Sequence, residues 1–156
     1  MLPFFQWCEA TFIARGISDS VWLFGVIEAI HLLGLCLLGG ALLIVDLRLL
    51  GVSLAEQPIA EVARSARRWL ITGLVMMAAT GIPLFLSEAT KCYYNPSFWV
   101  KIITLPVALL FTFAVRQRIA SNPTLVTSAR SRTVAVASLA LWYTVAAAGR
   151  WIGFSS

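Results

Sequence analysis

The sequence predicts an all-α integral membrane protein, a four-helix bundle preceded by an N-terminal interfacial amphipathic helix, and three observations carry that prediction. Of 156 residues, 60% are hydrophobic and 12% charged, with a mean hydropathy of +0.86, too apolar for an ordinary soluble domain. Four segments are each long enough, at about 1.5 Å per residue, to cross a hydrocarbon layer of roughly 30 Å. Arginines gather between the first and second and between the third and fourth of these segments, as they do in cytoplasmic loops. A single membrane domain over residues 1–156 is expected.

The N-terminal stretch from Leu2 to Ile17 mixes Phe4, Phe5, Trp7, Phe12 and Ile13 with Gln6, Glu9 and Arg15, too short and polar to span, and predicts one interfacial helix. It lacks a positively charged leader and a cleavage site, so the mature chain is expected to begin near Met1. Ser18, Asp19 and Ser20 offer N-caps for a first span over 20–45, which ends at Asp46-Leu47-Arg48-Leu49-Leu50-Gly51. A polar connection through Pro58 and three arginines leads to a second span over 69–87, bent by Pro83. A loop with Asn95-Pro96 as its turn precedes a third span over 98–115, and a loop containing Asn122-Pro123 precedes a fourth over 133–152. Small residues at Gly25/Ala29, Cys36/Gly40, Gly73/Gly81 and Ala140/Thr144/Ala148 are spaced to let helices approach. Trp7, Trp22, Trp99, Trp151, Tyr93 and Tyr94 form an expected aromatic belt.

Arg48, Arg64, Arg67, Arg68, Arg116, Arg118, Arg130 and Arg132 fall on one side of these spans. In a bacterial inner membrane this puts both termini in the periplasm. The formal charge of +5 therefore records topology, and no basic run with interleaved aromatics points to nucleic acid. Cys8 and Cys92 fall on the oxidising side, where they are either bonded to each other or unpaired, while Cys36 is buried in the first span. Asp46 and Arg48 are expected at the cytoplasmic boundary, capping the first span and meeting Arg67 or Arg68, or else solvated.

An ionisable group in hydrocarbon costs about 2.5 to 3.5 kcal/mol and faces the bundle interior. Glu28 and His31, the only histidine, share a helix face roughly 12 and 16 Å below the outer boundary. Lys101 opens the third span, Arg150 closes the fourth, and Tyr143 lies two turns deeper on the Arg150 face, where it could meet His31. Glu28-x-x-His31 matches one half of a di-iron motif without the second pair, and one His with one Glu falls short of a zinc or copper site unless subunits share the metal. Haem b fits better, with His31 as metal ligand and Met76 or Met77, or a second His31 from another subunit, completing the pair, and with Lys101 and Arg150 on the propionates. Methionines in a span also serve as core packing.

The residues thus suit a redox module in which haem b or a quinone near His31 passes electrons to or from a periplasmic partner. Self-association or a partner membrane subunit is expected. Two alternatives stand beside it: a cofactor-free structural or assembly subunit in which Glu28 and His31 hold helices in register, and a proton-coupled transporter or channel that uses them as a relay.

Ile27-Glu28-Ala29-Ile30-His31-Leu32-Leu33-Gly34, Asp46-Leu47-Arg48-Leu49-Leu50-Gly51 and Tyr94-Asn95-Pro96-Ser97-Phe98-Trp99-Val100-Lys101 together resemble an uncharacterised family of small bacterial four-span inner-membrane proteins. The resemblance covers nearly the whole chain, implies the four-span architecture, and singles out His31, Asp46, Arg48 and Lys101. His31-Leu32-Leu33-Gly34 and Lys101 also resemble, distantly, the membrane domain of copper resistance D proteins, which implies copper handling. The chain lacks the further His and Met ligands of a copper pathway.

Overall fold

The computed structural model describes residues 1–54, 56–122 and 128–154. Its helices are α1 (Leu2–Glu9), α2 (Phe12–Ser18), α3 (Leu23–Leu50), α4 (Ile59–Ser87), α5 (Ala89–Tyr94), α6 (Pro96–Leu110), a π-helical turn (Phe111–Arg116), α7 (Gln117–Ser121) and α8 (Ser128–Ile152). No strand occurs among the described residues. Four spans result: Val21–Leu50, Ile59–Ser87, Pro96–Ser121 and Ala129–Ile152. All are longer than the sequence pattern indicates.

Each boundary has a local cause. Ser20 Oγ accepts from Leu23 N at 3.2 Å at the start of the first span, as its N-capping role requires. Gly51 ends α3 with φ at 78°, and Val52 N–H returns to the Leu47 carbonyl at 3.1 Å, a turn that only glycine makes without strain. The second span begins ten residues earlier than expected, directly after Pro58. The reason is packing: Val62, Ala63 and Ala66 bury against Val45 and Leu49, so the helix pays back its extension with apolar contact while Arg64, Arg67 and Arg68 stay exposed on its other side. Asn95 Oδ1 caps α6 by accepting from Ser97 N at 2.9 Å, with Pro96 in the first turn where no N–H is needed. The Pro123 part of the turn expected at Asn122-Pro123 lies outside the described residues.

The single interfacial helix expected over 2–17 is two helices. Thr11 breaks it: its backbone is extended, its hydroxyl donates to the Cys8 carbonyl at 2.7 Å, and its Oγ accepts from Ala14 N at 3.3 Å. One face of α1 packs on protein. Phe5 and Cys8 are buried with Ala89, Cys92 and Phe98, because the segment expected as a loop after the second span folds into α5 and offers α1 a surface. Phe5 is the hub, 5.2 Å from Tyr93 and 5.7 Å from Phe85, and Phe85 stacks on Phe98 at 5.5 Å. Trp99 Nε1 donates to the Tyr93 carbonyl at 3.0 Å, and Thr90 donates to Glu9. Tyr93 and Trp99 thus join a cap over the bundle, while Trp7, Trp22, Tyr94 and Trp151 keep the exposed positions of a belt.

Below the cap, α3 packs most extensively on α4, then α6 on α8 and α3 on α8; the second and third spans pack together chiefly at the arginine-rich end, through α7. The α3–α4 backbones touch. A Cβ on Gly73 would stand 2.7 Å from Leu38 N, closer than any side chain permits. Gly25 and Gly40, by contrast, face open space, and Cys36, expected in the interior, is exposed. Those small-residue pairs do not pack helices within this chain.

Candidate functional site

The site lies between the first two spans beneath the cap, within electrostatic reach of Lys101 on the third. His31 Nδ1 lies 2.7 Å from Thr80 Oγ1 on α4, and that hydroxyl lies 2.7 Å from the Met76 carbonyl. The hydroxyl has one proton, and a carbonyl only accepts, so Thr80 donates to Met76. His31 must then donate from Nδ1. Its other nitrogen, Nε2, is left as an acceptor, the arrangement found where a histidine is oriented toward a ligand. Gly81 makes room for the ring: a Cβ there would come within 3.1 Å of His31 Cε1.

Lys101 enters from α6. Its stem lies along Gly149 of α8, where a Cβ would be 3.3 Å from Nζ, and it acts electrostatically on both His31 and Cys92. Among the described residues its ammonium makes no hydrogen bond or ion pair. An unpaired cation and a ring acceptor thus lie within electrostatic reach of one another.

Of the other residues the sequence singles out, Glu28 lies one turn outward of His31, half-buried. Outward of it on the same face, Val21 and Phe24 line an open cavity of about 330 Å³ with Ser18, Ser20, Ser87 and Glu88. Met76 and Met77 pack one turn away from His31 along α3. Their Cγ atoms pack at the Gly34 surface, 3.2 and 3.4 Å from where a Cβ would stand. Tyr143 is 76% exposed and is not brought to His31. Arg150 is exposed, its guanidinium over the Phe154 ring at 4.6 Å. No three of His, Cys, Asp or Glu converge among the described residues. Cys8 and Cys92 are free thiols buried together in the cap. Burial, and then the Glu88 carboxylate, push the Cys92 thiol up to about 11.

A second polar cluster lies nearer the arginine-rich end. Asp46 Oδ1 accepts from Arg116 Nε at 2.5 Å, Asp46 Oδ2 accepts from Ser138 Oγ at 2.8 Å, and Arg116 Nη2 donates to the Leu42 carbonyl at 2.8 Å. Asp46 and Ser138 are wholly buried and Arg116 is 1% exposed. Asp46 therefore meets neither Arg67 nor Arg68, both of which are exposed; Arg48 instead donates to the Gln57 carbonyl at 2.7 Å. The π turn carries Arg116 and also Thr112, which accepts from Trp142 Nε1 at 2.9 Å. Such turns are rare and re-aim side chains within a helix. Sequence reading took Arg116 for a topological charge and passed over Ser138. The available signal was Thr112 and Arg116, a polar pair one turn apart, together with an aspartate near the end of the first span.

No match to this chain was found among curated proteins or among solved structures. A family model does match, over residues 4–155. The chain is thereby a member of DUF6644, a family of unknown function.

Proposed function

We propose that the protein is a membrane redox module whose site beneath the cap holds the polar headgroup of a lipid-soluble quinone, exchanging electrons with a partner on the cap side. One observation carries this: Thr80 commits the His31 Nδ1 proton, leaving Nε2 as an acceptor in reach of the field of an unpaired Lys101. His31 accepts from a quinol hydroxyl and Lys101 donates to a quinone carbonyl. A lipid-soluble molecule would enter laterally between the second and third spans, which pack together chiefly at the arginine-rich end, and its protons would leave toward the open cavity on the cap side.

Haem b suits the geometry less well. His31 lies against Gly81 and the methionines against Gly34, so a His/Met pair between the first two spans would have to drive them apart. Transport across the bundle is disfavoured by the buried Asp46–Arg116–Ser138 network, which closes the arginine-rich half. By the positive-inside asymmetry, that half is cytoplasmic and the cap periplasmic in a bacterial inner membrane.

The test is titration of the purified protein with a short-chain quinone, read by tryptophan fluorescence. Saturable quenching is expected, with His31→Ala and Lys101→Met each weakening affinity by about ten-fold or more, the loss of one hydrogen bond to a charged or polar partner. Absence of saturation overturns the reading. A Soret band that shifts on reduction puts haem in its place. A reporter active only in the periplasm, inserted between Ser53 and Glu61, should be silent, and should signal at the C-terminus.

A further inference from the structure

Away from the cap, α3 and the first turns of α4 frame an open apolar groove of about 400 Å³, walled by Leu37, Gly40 and Ile44 on one side and Ser65 and Trp69 on the other, with Gln57 at its mouth. Its depth in the membrane follows from helix register. Leu38 faces Gly73 and His31 faces Thr80, which sets Trp69 level with Leu42 and Arg68 level with Leu43, about 17 Å from the His31 level at 1.5 Å per residue. Trp69 is 58% exposed and Arg68 is exposed beside it. A tryptophan and an arginine at one level mark the membrane–water interface. The groove thus begins at headgroup depth and runs into hydrocarbon.

Charge selects the occupant. Arg64, Arg67 and Arg68 are exposed along this end of α4, as are Arg118, Arg130 and Arg132 on the neighbouring spans. A second copy seated on the groove by two-fold symmetry would bring its own arginines against these, a like-charge cost that a phosphate reverses. We propose that the groove seats one acyl chain of an anionic phospholipid whose phosphate is held at the interface by Arg68, with the Ser65 hydroxyl beside it. Gly40 leaves the slot open, since a Cβ there meets nothing within 4 Å. The site is separate from the His31 chamber and does not depend on what that chamber binds.

Native mass spectrometry of the full chain, exchanged into phosphatidylglycerol or phosphatidylcholine of identical acyl chains, tests this. One retained phosphatidylglycerol is expected in preference to phosphatidylcholine. Arg68→Gln should cut that preference about five-fold, the effect of one interfacial arginine. Gly40→Leu should fill the groove and abolish retention while leaving the melting temperature in lipid-free detergent unchanged. Equal retention of both lipids by the wild type overturns the proposal, as does retention indifferent to both substitutions. Displacement by inorganic phosphate would reduce the site to an anion contact, and a dimer dissolved by Gly40→Leu would make the groove an interface between copies; either result also overturns it.

Discussion

Arg116 donates from Nε to Asp46 Oδ1 at 2.5 Å where neither side chain is exposed, so a charged pair joins the third span to the first inside the bundle. Moving either charge there alone would be costly, and the structure spreads the cost: Ser138 satisfies the second carboxylate oxygen and the Leu42 carbonyl takes Nη2. The first, third and fourth spans are thereby fixed in one rotational register. Asp46→Asn or Arg116→Met should each lower stability by about 3 to 5 kcal/mol, because each strands a buried charge. The double variant Asp46→Asn with Arg116→Met should lose less than the two single losses together, as measured by thermal unfolding in detergent. Additive losses would show that the two residues do not act as a pair.

Thr80 links one donor, His31 Nδ1–H, to one acceptor, the Met76 carbonyl, and its removal separates them. Thr80→Val keeps shape but leaves His31 Nδ1–H without an acceptor at a half-buried position, which should cost about 1 to 3 kcal/mol of stability. Thr80→Ser should restore most of it. If the ring is oriented by this bond, quinone affinity should fall in the valine variant and recover in the serine one. Equal affinity in all three proteins would mean that His31 needs no support from α4.

Gly73 tests the helix contact itself. A Cβ there would stand 2.7 Å from Leu38 N and 2.9 Å from Leu38 Cα, and backbone atoms cannot swing away as a side-chain tip can. Gly73→Ala should therefore separate α3 from α4 and lower stability by about 1 to 3 kcal/mol, in the range of overpacked cores. Gly25→Ala, where a Cβ meets nothing within 4 Å, is the control and should be neutral. A stable Gly73→Ala protein would show that the two backbones are not held at this distance.

What the sequence made legible and what it hid divide along physical lines. Four apolar segments and their polar breaks stand out because the bilayer demands long apolar runs. Gly51 and Asn95 act as the stops and starts their chemistry predicts. The cap was hidden, since Phe5 and Cys8 bury only because residues 89–94 fold into a helix beside them, and such pairing over 80 residues of chain leaves no local trace. Likewise Glu28 and His31 mark an intramembrane site by type and spacing, but the partner of His31 is a threonine, a residue common in spans. Asp46 lies near the end of the first span. Its partner differs because a π turn rotates Arg116 inward, and hydrophobic periodicity does not announce such a turn.

Cys92 offers a prediction in pH. Its thiol is 6% exposed in the cap, so the thiolate would lack water and face the Glu88 carboxylate; these two causes, opposed in part by Lys101 and Lys91, raise its pKa from 9.0 to about 11. Only the thiolate is nucleophilic. At pH 8 the thiolate fraction should be about a hundredfold lower than for an ordinary cysteine with the reference value. Alkylation of the folded protein by iodoacetamide should be correspondingly slow, and should rise toward pH 11 instead of levelling off near pH 9. The same shift bears on stability. A pKa raised on folding means that the native state holds its proton longer than the unfolded chain, so this contribution is fully present below about pH 9 and is lost as pH rises through about 11. Cys92→Ala should flatten that part of the stability profile while leaving the neutral-pH spectrum of helices unchanged. Phe5→Ala should act in the opposite sense on reactivity: opening the aromatic hub admits water to the thiol, lowers its pKa, and speeds alkylation at pH 8. Mass spectrometry of the labelled peptide reads Phe5→Ala against the wild type, and thermal unfolding across pH reads Cys92→Ala. Rapid labelling of wild-type Cys92 at pH 8, equal to that of the unfolded chain, would mean that α1 does not close over α5 in solution.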